Sequence, residues 1–136
     1  MTQTIDGGCL CRAIRYRVAG APLSSIICHC MTCRRVSGAP TVAWLTVDRA
    51  QFQFLSGSAS IHLSSRDVVR RFCGNCGTPL TYENSGSPNT IDITTASLDD
   101  PNACPPSMEV WLEHRLNWQI PNQDLGQFDR GGEERK

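Results

Sequence analysis

Seven of the eight cysteines in this 136-residue chain fall into three tight groups. They are Cys9-Leu10-Cys11, Cys28-His29-Cys30-Met31-Thr32-Cys33 and Cys73-Gly74-Asn75-Cys76. Cysteines one or two residues apart rarely bridge each other, but they converge readily on a metal ion. The C-x-C and C-x-x-C pairs together offer four thiols, a complete tetrahedral set for zinc. The middle group offers three and no evident fourth. Closed four-ligand sites are structural, whereas three protein ligands leave a position for water or substrate. The expectation is two Zn2+ ions per chain, one holding the fold at Cys9, Cys11, Cys73 and Cys76 and one serving chemistry at Cys28, Cys30 and Cys33.

Composition narrows the setting. Apolar residues make up 40% and charged residues 19%, as in an ordinary globular domain, and the formal net charge is zero. Such a balance provides no global attraction to nucleic acid or to an anionic membrane. The first residues are polar and lack the apolar core of a signal peptide, and no stretch approaches the roughly 20 apolar residues that span a bilayer. A cytoplasmic location is therefore expected, where thiols stay reduced and clustered cysteines indicate metal rather than disulfides. One zinc-binding domain is expected over residues 1–128. The charged run from Asp129 to Lys136 lacks apolar anchors and reads as a mobile tail.

Strand patterns dominate the chain. In Cys11–Val18, Ile14, Tyr16 and Val18 alternate with Arg15 and Arg17, the period of two of a half-buried strand. Further strands are expected at 24–28, 41–47, 52–55, 59–63, 68–72, 79–82, 90–95 and 109–112, separated by Gly, Ser and Pro turns. One short helix is expected from Met31 to Ser37, with Gly38 in the left-handed position that ends it. Short strands joined by turns indicate a mainly β domain.

Cys30 and Cys33 lie three apart, so the first turn of that helix presents both on one face, and Cys28 at the end of the preceding strand can point the same way. Three thiolates on a divalent ion leave one negative charge, which Arg34 and Arg35 are close enough to offset. An exchangeable position on such an ion suits a substrate thiol, because coordination lowers the thiol's pKa. His29 is either a ligand, a proton shuttle or a packing residue. If the backbone is extended there its side chain turns away from the thiols, which favours packing. His62, His114 and Cys104 have no partners in sequence and read as surface or packing residues.

Three segments, taken with their order, resemble the glutathione-dependent formaldehyde-activating enzyme (GFA) family, which shares its domain with centromere-associated relatives. They are Gly7-Gly8-Cys9-Leu10-Cys11 with Ile14-Arg15-Tyr16, Cys28 to Gly38, and Phe72-Cys73-Gly74-Asn75-Cys76-Gly77-Thr78-Pro79-Leu80. Ile91-Asp92-Ile93, Ser97 to Pro101 and the Trp118 region extend the likeness over about residues 5 to 128. The resemblance implies a mainly β, Mss4-like fold of short antiparallel strands organised around two zinc sites, with the ligand sets given above. It implies a carbon–sulfur lyase that adds glutathione, or a related thiol, to formaldehyde or another small aldehyde; in such an enzyme Arg34 or Arg35 would either bind a glutathione carboxylate or only balance charge and face solvent. Arg12 departs from the pattern, standing where the family usually has glycine after C-x-C. Two rival functions are a non-catalytic glutathione- or zinc-binding module and a nucleic-acid or protein interaction domain. Against the latter, the only basic stripe is Arg12, Arg15 and Arg17.

Overall fold

The computed structural model describes residues 3–131. Eleven strands occur among them: β1 (Thr4–Gly8), β2 (Arg15–Ala19), β3 (Ser24–Cys28), β4 (Val42–Asp48), β5 (Phe52–Ser56), β6 (Ser60–Ser65), β7 (Val68–Phe72), β8 (Pro79–Asn84), β9 (Thr90–Thr94), β10 (Met108–Val110) and β11 (Gly126–Gln127). The single α-helix, α1 (Met31–Ser37), lies between β3 and β4. Gly38 ends it at φ 69°, and its amide donates to the Arg34 carbonyl at 2.7 Å.

Two sheets form. The smaller has the order β1-β2-β5, and the larger β11-β10-β3-β4-β9-β8-β7-β6. Pairing is antiparallel except that β10 runs parallel to both β3 and β11. Alternation along the strands divides the residues of the large sheet between its two faces. Leu45, Val47, Ile91 and Ile93 join Ile14, Tyr16, Val18 and Phe52 of the small-sheet segment in the main core. On β2 the expected division holds, with Ile14, Tyr16 and Val18 at 2% exposure or less and Arg17 exposed.

The opposite face of the large sheet is much more polar. Register aligns Ser24, Thr46, Asp92, Tyr82 and Arg70 in one cross-strand row over β3, β4, β9, β8 and β7. Next to that row, Ile26 pairs with Trp44, and Cys28 pairs with Val42. A second apolar cluster of Ile26, Cys28, Cys33, Trp44 and Val110 packs there beneath α1.

Two strands were not anticipated. β1 precedes the C-x-C group, so Cys9 and Cys11 sit in the turn between β1 and β2 and not at the start of the first strand. β11 is a two-residue edge added to β10. Of the tail expected from Asp129, the carbonyls of Asp129 and Arg130 accept from the amides of Glu113 and Trp111, while residues 132–136 lie outside the described residues.

Candidate metal centres

The turn from Cys9 to Arg12 folds back on itself: the Arg12 amide donates to the Cys9 carbonyl and the Cys9 amide to that of Ile14, both at 3.1 Å. Arg12 adopts φ 68°, the left-handed conformation. That explains why glycine suits this position and how arginine occupies it, at a cost of about 1–2 kcal/mol. On the other side, the Gly77 amide donates to the Cys73 carbonyl at 2.7 Å, and Gly77 has φ 85°. This tight loop turns Cys73 and Cys76 toward the first pair.

The sulfurs of Cys9, Cys11, Cys73 and Cys76 all lie within 4.8 Å of one another. Cys11 Sγ is 3.6 Å from Cys9 Sγ and 3.7 Å from Cys73 Sγ. A tetrahedron with zinc–sulfur bonds of about 2.3 Å has sulfur–sulfur edges of about 3.8 Å. Those two edges match a four-thiolate zinc site. Backbone amides support the sulfurs: Ile14 donates to Cys9 Sγ at 3.3 Å and Cys76 to Cys73 Sγ at 3.4 Å. Thr78 ties the two loops together. Its hydroxyl accepts from the Leu10 amide at 3.1 Å and lies 3.3 Å from Cys76 Sγ, and this contact is the main reason the Cys76 pKa falls to about 5.

The second group is built where β3 ends and α1 begins. The sulfurs of Cys28, Cys30 and Cys33 also lie within 4.8 Å of one another. Cys30 caps the helix, its sulfur accepting from the Cys33 amide at 3.3 Å. Hydrogen bonding from the thiol of Cys28, then from that of Cys33, draws the Cys30 pKa down, while donating to Cys30, and next to Cys33, drives that of Cys28 up. A donor set of three clustered thiols fits a metal with one further position open.

A cavity of about 880 Å³ is bordered by all three cysteines, by Met31 and Thr32 of α1, by Trp44, and by Trp111 and His114. It extends along the polar row to Tyr82 and Arg70. Trp44, 5% exposed, directs its indole N–H onto Cys33 Sγ at 3.3 Å. Trp111 takes a left-handed φ of 59°, and its ring lies 5.1 Å from that of His114.

The predicted site residues divide clearly. All seven cysteines gather into the two expected groups. Arg34 and Arg35 are not among the residues bordering the cavity. Arg34 instead reaches the His114 carbonyl at 3.4 Å, tying α1 to the turn at Leu112–His114, and Arg35 is exposed. His29 is fully buried and turns away from the thiols, with Nε2 2.5 Å from Glu109 Oε1. Glu109 Oε2 in turn accepts from the Asn122 amide at 2.5 Å. His114 was expected to be a surface residue; it is exposed, yet it also borders the cavity. Cys104 is buried apart from both groups, and burial raises its pKa. Sequence reasoning did not find Trp44, Arg70, Trp111 or Thr78. The parity of β4, which puts Trp44 and Thr46 on one face, was the available signal for the first.

Residues 4–114 match the family described as glutathione-dependent formaldehyde-activating enzyme. This chain belongs to that family. Among its relatives is a Schizosaccharomyces pombe protein named as an uncharacterized lyase, 32% identical over 89 residues. That match spans 64% of each chain, so just under two thirds of the yeast protein is covered. A Halomonas elongata protein named provisionally as a glutathione-dependent formaldehyde-activating enzyme is 25% identical over 84% of this chain and 78% of its own. In structure, the chain is similar to a crystallised Rhodobacter sphaeroides protein. The TM-score is 0.59 at 21% identity, covering 69% of this chain and 87% of that one, which is a likeness of fold. No helix among the described residues is long and apolar enough to cross a membrane.

Proposed function

We propose that the protein is a zinc-dependent carbon–sulfur lyase that adds glutathione, or a related thiol, to formaldehyde or another small aldehyde. The observation that carries this reading is the contrast between the two cysteine groups. One is a complete tetrahedral set tucked into two turns. The other has three cysteines and borders a cavity. Cys9, Cys11, Cys73 and Cys76 would hold a structural zinc, and Cys28, Cys30 and Cys33 a catalytic one. A zinc ion bound there supplies a means of keeping a thiol deprotonated at neutral pH.

The chain's own residues prepare the site. β3 and α1 fix the three sulfurs, and the Trp44 N–H disperses negative charge on Cys33. Trp111 and His114 border the cavity beside them. In the addition, the thiolate sulfur forms a bond to the carbonyl carbon. The carbonyl π pair moves to oxygen, which takes up a proton equivalent to the one the thiol released.

The relatives' names support the reaction class, and the site geometry supports the ligand roles. Charge pairing weighs against an interaction module for nucleic acid. Of the basic stripe on β2, Arg15 pairs with Asp99 and Arg17 with Asp6. The test is glutathione-dependent formaldehyde consumption by zinc-loaded protein, measured against the uncatalysed reaction. Acceleration that disappears in Cys33→Ser is expected. Tight glutathione binding without acceleration would instead establish the non-catalytic binding module.

A further inference from the structure

Among the described residues, Arg70 is the only lysine or arginine that borders the cavity. It stands on β7 at the end of the cross-strand row, three strands from the β4 position of Thr46, and borders the same cavity as Cys28, Cys30 and Cys33. Five other arginines, Arg15, Arg17, Arg49, Arg71 and Arg130, each pair with an acidic side chain. Arg70 is held differently. Its Nε donates to Ser64 Oγ at 2.9 Å, and its guanidinium lies over the Tyr82 ring, 4.9 Å from the centroid.

Both contacts fix the orientation of the guanidinium through Nε and its flat face rather than through its terminal nitrogens. The terminal edge is the part that binds a carboxylate with two parallel hydrogen bonds. Stacking on Tyr82 also reduces the freedom lost when a ligand binds. The cavity is thus bordered both by three thiols and by one oriented guanidinium.

We propose that Arg70 determines substrate selection by binding a carboxylate of the thiol substrate, so that this site takes acidic thiols in preference to neutral or amino thiols. This inference rests on the thiol-binding reading above and assigns to Arg70 the role expected of Arg34 or Arg35. Neither of those arginines borders the cavity, and Arg34 is committed to the His114 carbonyl.

Calorimetric titration of the zinc-loaded full chain tests it, with three probes. Glutathione has both thiol and carboxylates, S-methylglutathione keeps the carboxylates but has no ionisable thiol, and cysteamine has a thiol and no carboxylate. In Arg70→Met, affinity for S-methylglutathione falls about tenfold or more, the size expected for a lost charged hydrogen-bonding pair. The ratio of glutathione to cysteamine affinity falls by a similar factor. Arg70→Lys keeps the charge without the fork and gives an intermediate loss, and it serves as the readout should the methionine variant unfold. Affinities within twofold of wild type for S-methylglutathione in either folded variant overturn the proposal. So does an equal loss for cysteamine, which marks a general disturbance of the site. Formaldehyde consumption separates the two claims. If the wild type does not accelerate it but S-methylglutathione binding still depends on Arg70, the reaction fails and the carboxylate site stands. If acceleration is present and Arg70 variants bind normally, the reverse holds.

Discussion

Replacing Trp44 with phenylalanine isolates one hydrogen bond at the three-cysteine centre. The Nε1–Sγ distance to Cys33 is 3.3 Å, and both side chains are buried, at 5% and 6% exposure. A hydrogen bond to a charged acceptor contributes about 1.5–3 kcal/mol, and sulfur is a weak acceptor, which places this one near the lower end. At about 1.4 kcal/mol per factor of ten, zinc affinity at Cys28, Cys30 and Cys33 should drop about tenfold, within the about 10–100-fold range for groups that support metal ligands. Phenylalanine keeps an aromatic ring beside Tyr82, whose ring lies 6.0 Å from that of Trp44. The packing loss, about 1 kcal/mol, should appear in thermal unfolding and not as a selective change at one metal site. Competition with a chromophoric chelator under reducing conditions resolves the two zinc ions by affinity. The weaker one should shift, and the stronger, assigned to Cys9, Cys11, Cys73 and Cys76, should not. Retention of both affinities within twofold would refute the role given to the indole N–H. Loss confined to the stronger ion would refute the assignment of the two sites.

Cys33→Ser and Cys76→Ser should separate the centres. The first is expected to keep the β-sheet circular dichroism while losing thiol-dependent activity, and the second to compromise folding, since structural zinc contributes on the order of 10 kcal/mol; equal unfolding of both would show that the division of roles is wrong. Arg12→Gly relieves the left-handed strain at φ 68°, and the greater freedom of glycine in the unfolded chain offsets about 0.4–1 kcal/mol of that gain. Urea denaturation should show unchanged stability or a gain up to about 1 kcal/mol, and a loss of that size would mean that the arginine side chain makes a stabilising contact. His29→Ala should destabilise by about 3–5 kcal/mol, because it strands Glu109 at 3% exposure without its partner. A loss under about 1 kcal/mol on the same measurement would contradict a packing role for the pair.

Local chemistry was legible in the sequence wherever it is written in neighbouring residues. The alternation of Ile14, Tyr16 and Val18, the helix stop at Gly38 and the three cysteine groups all follow from spacing of four residues or fewer. β1 was hidden because Thr4-Ile5-Asp6-Gly7-Gly8 contains one large apolar residue and two glycines. It gains its place by pairing with β2, Ile5 opposite Val18. β11 is two residues long and exists only through its pairing with β10, a contact that local pattern does not encode. The cavity was invisible for the same reason. Ser24, Thr46, Asp92, Tyr82 and Arg70 span 68 positions of sequence between Ser24 and Asp92, and only register makes them a row. Arg34 and Arg35 attracted the carboxylate role through proximity in sequence to the cysteines, and neither is among the described residues that border the cavity.

The same register argument connects the two metal centres. Arg70 lies on β7, which ends at Phe72, and the following residue is Cys73. The loop from Cys73 to Thr78 closes β7 onto β8, with the Cys73 amide donating to the Thr78 carbonyl at 3.0 Å, and β8 carries Tyr82 beneath the Arg70 guanidinium. The pairing slips between Arg71 and Phe72, just before the cysteine loop. A one-residue slip of β7 against β8 would send Arg70 to the opposite face of the sheet. A metal held by the four cysteines would fix the loop at the end of this hairpin, and with it the register that keeps the Arg70 guanidinium at the cavity.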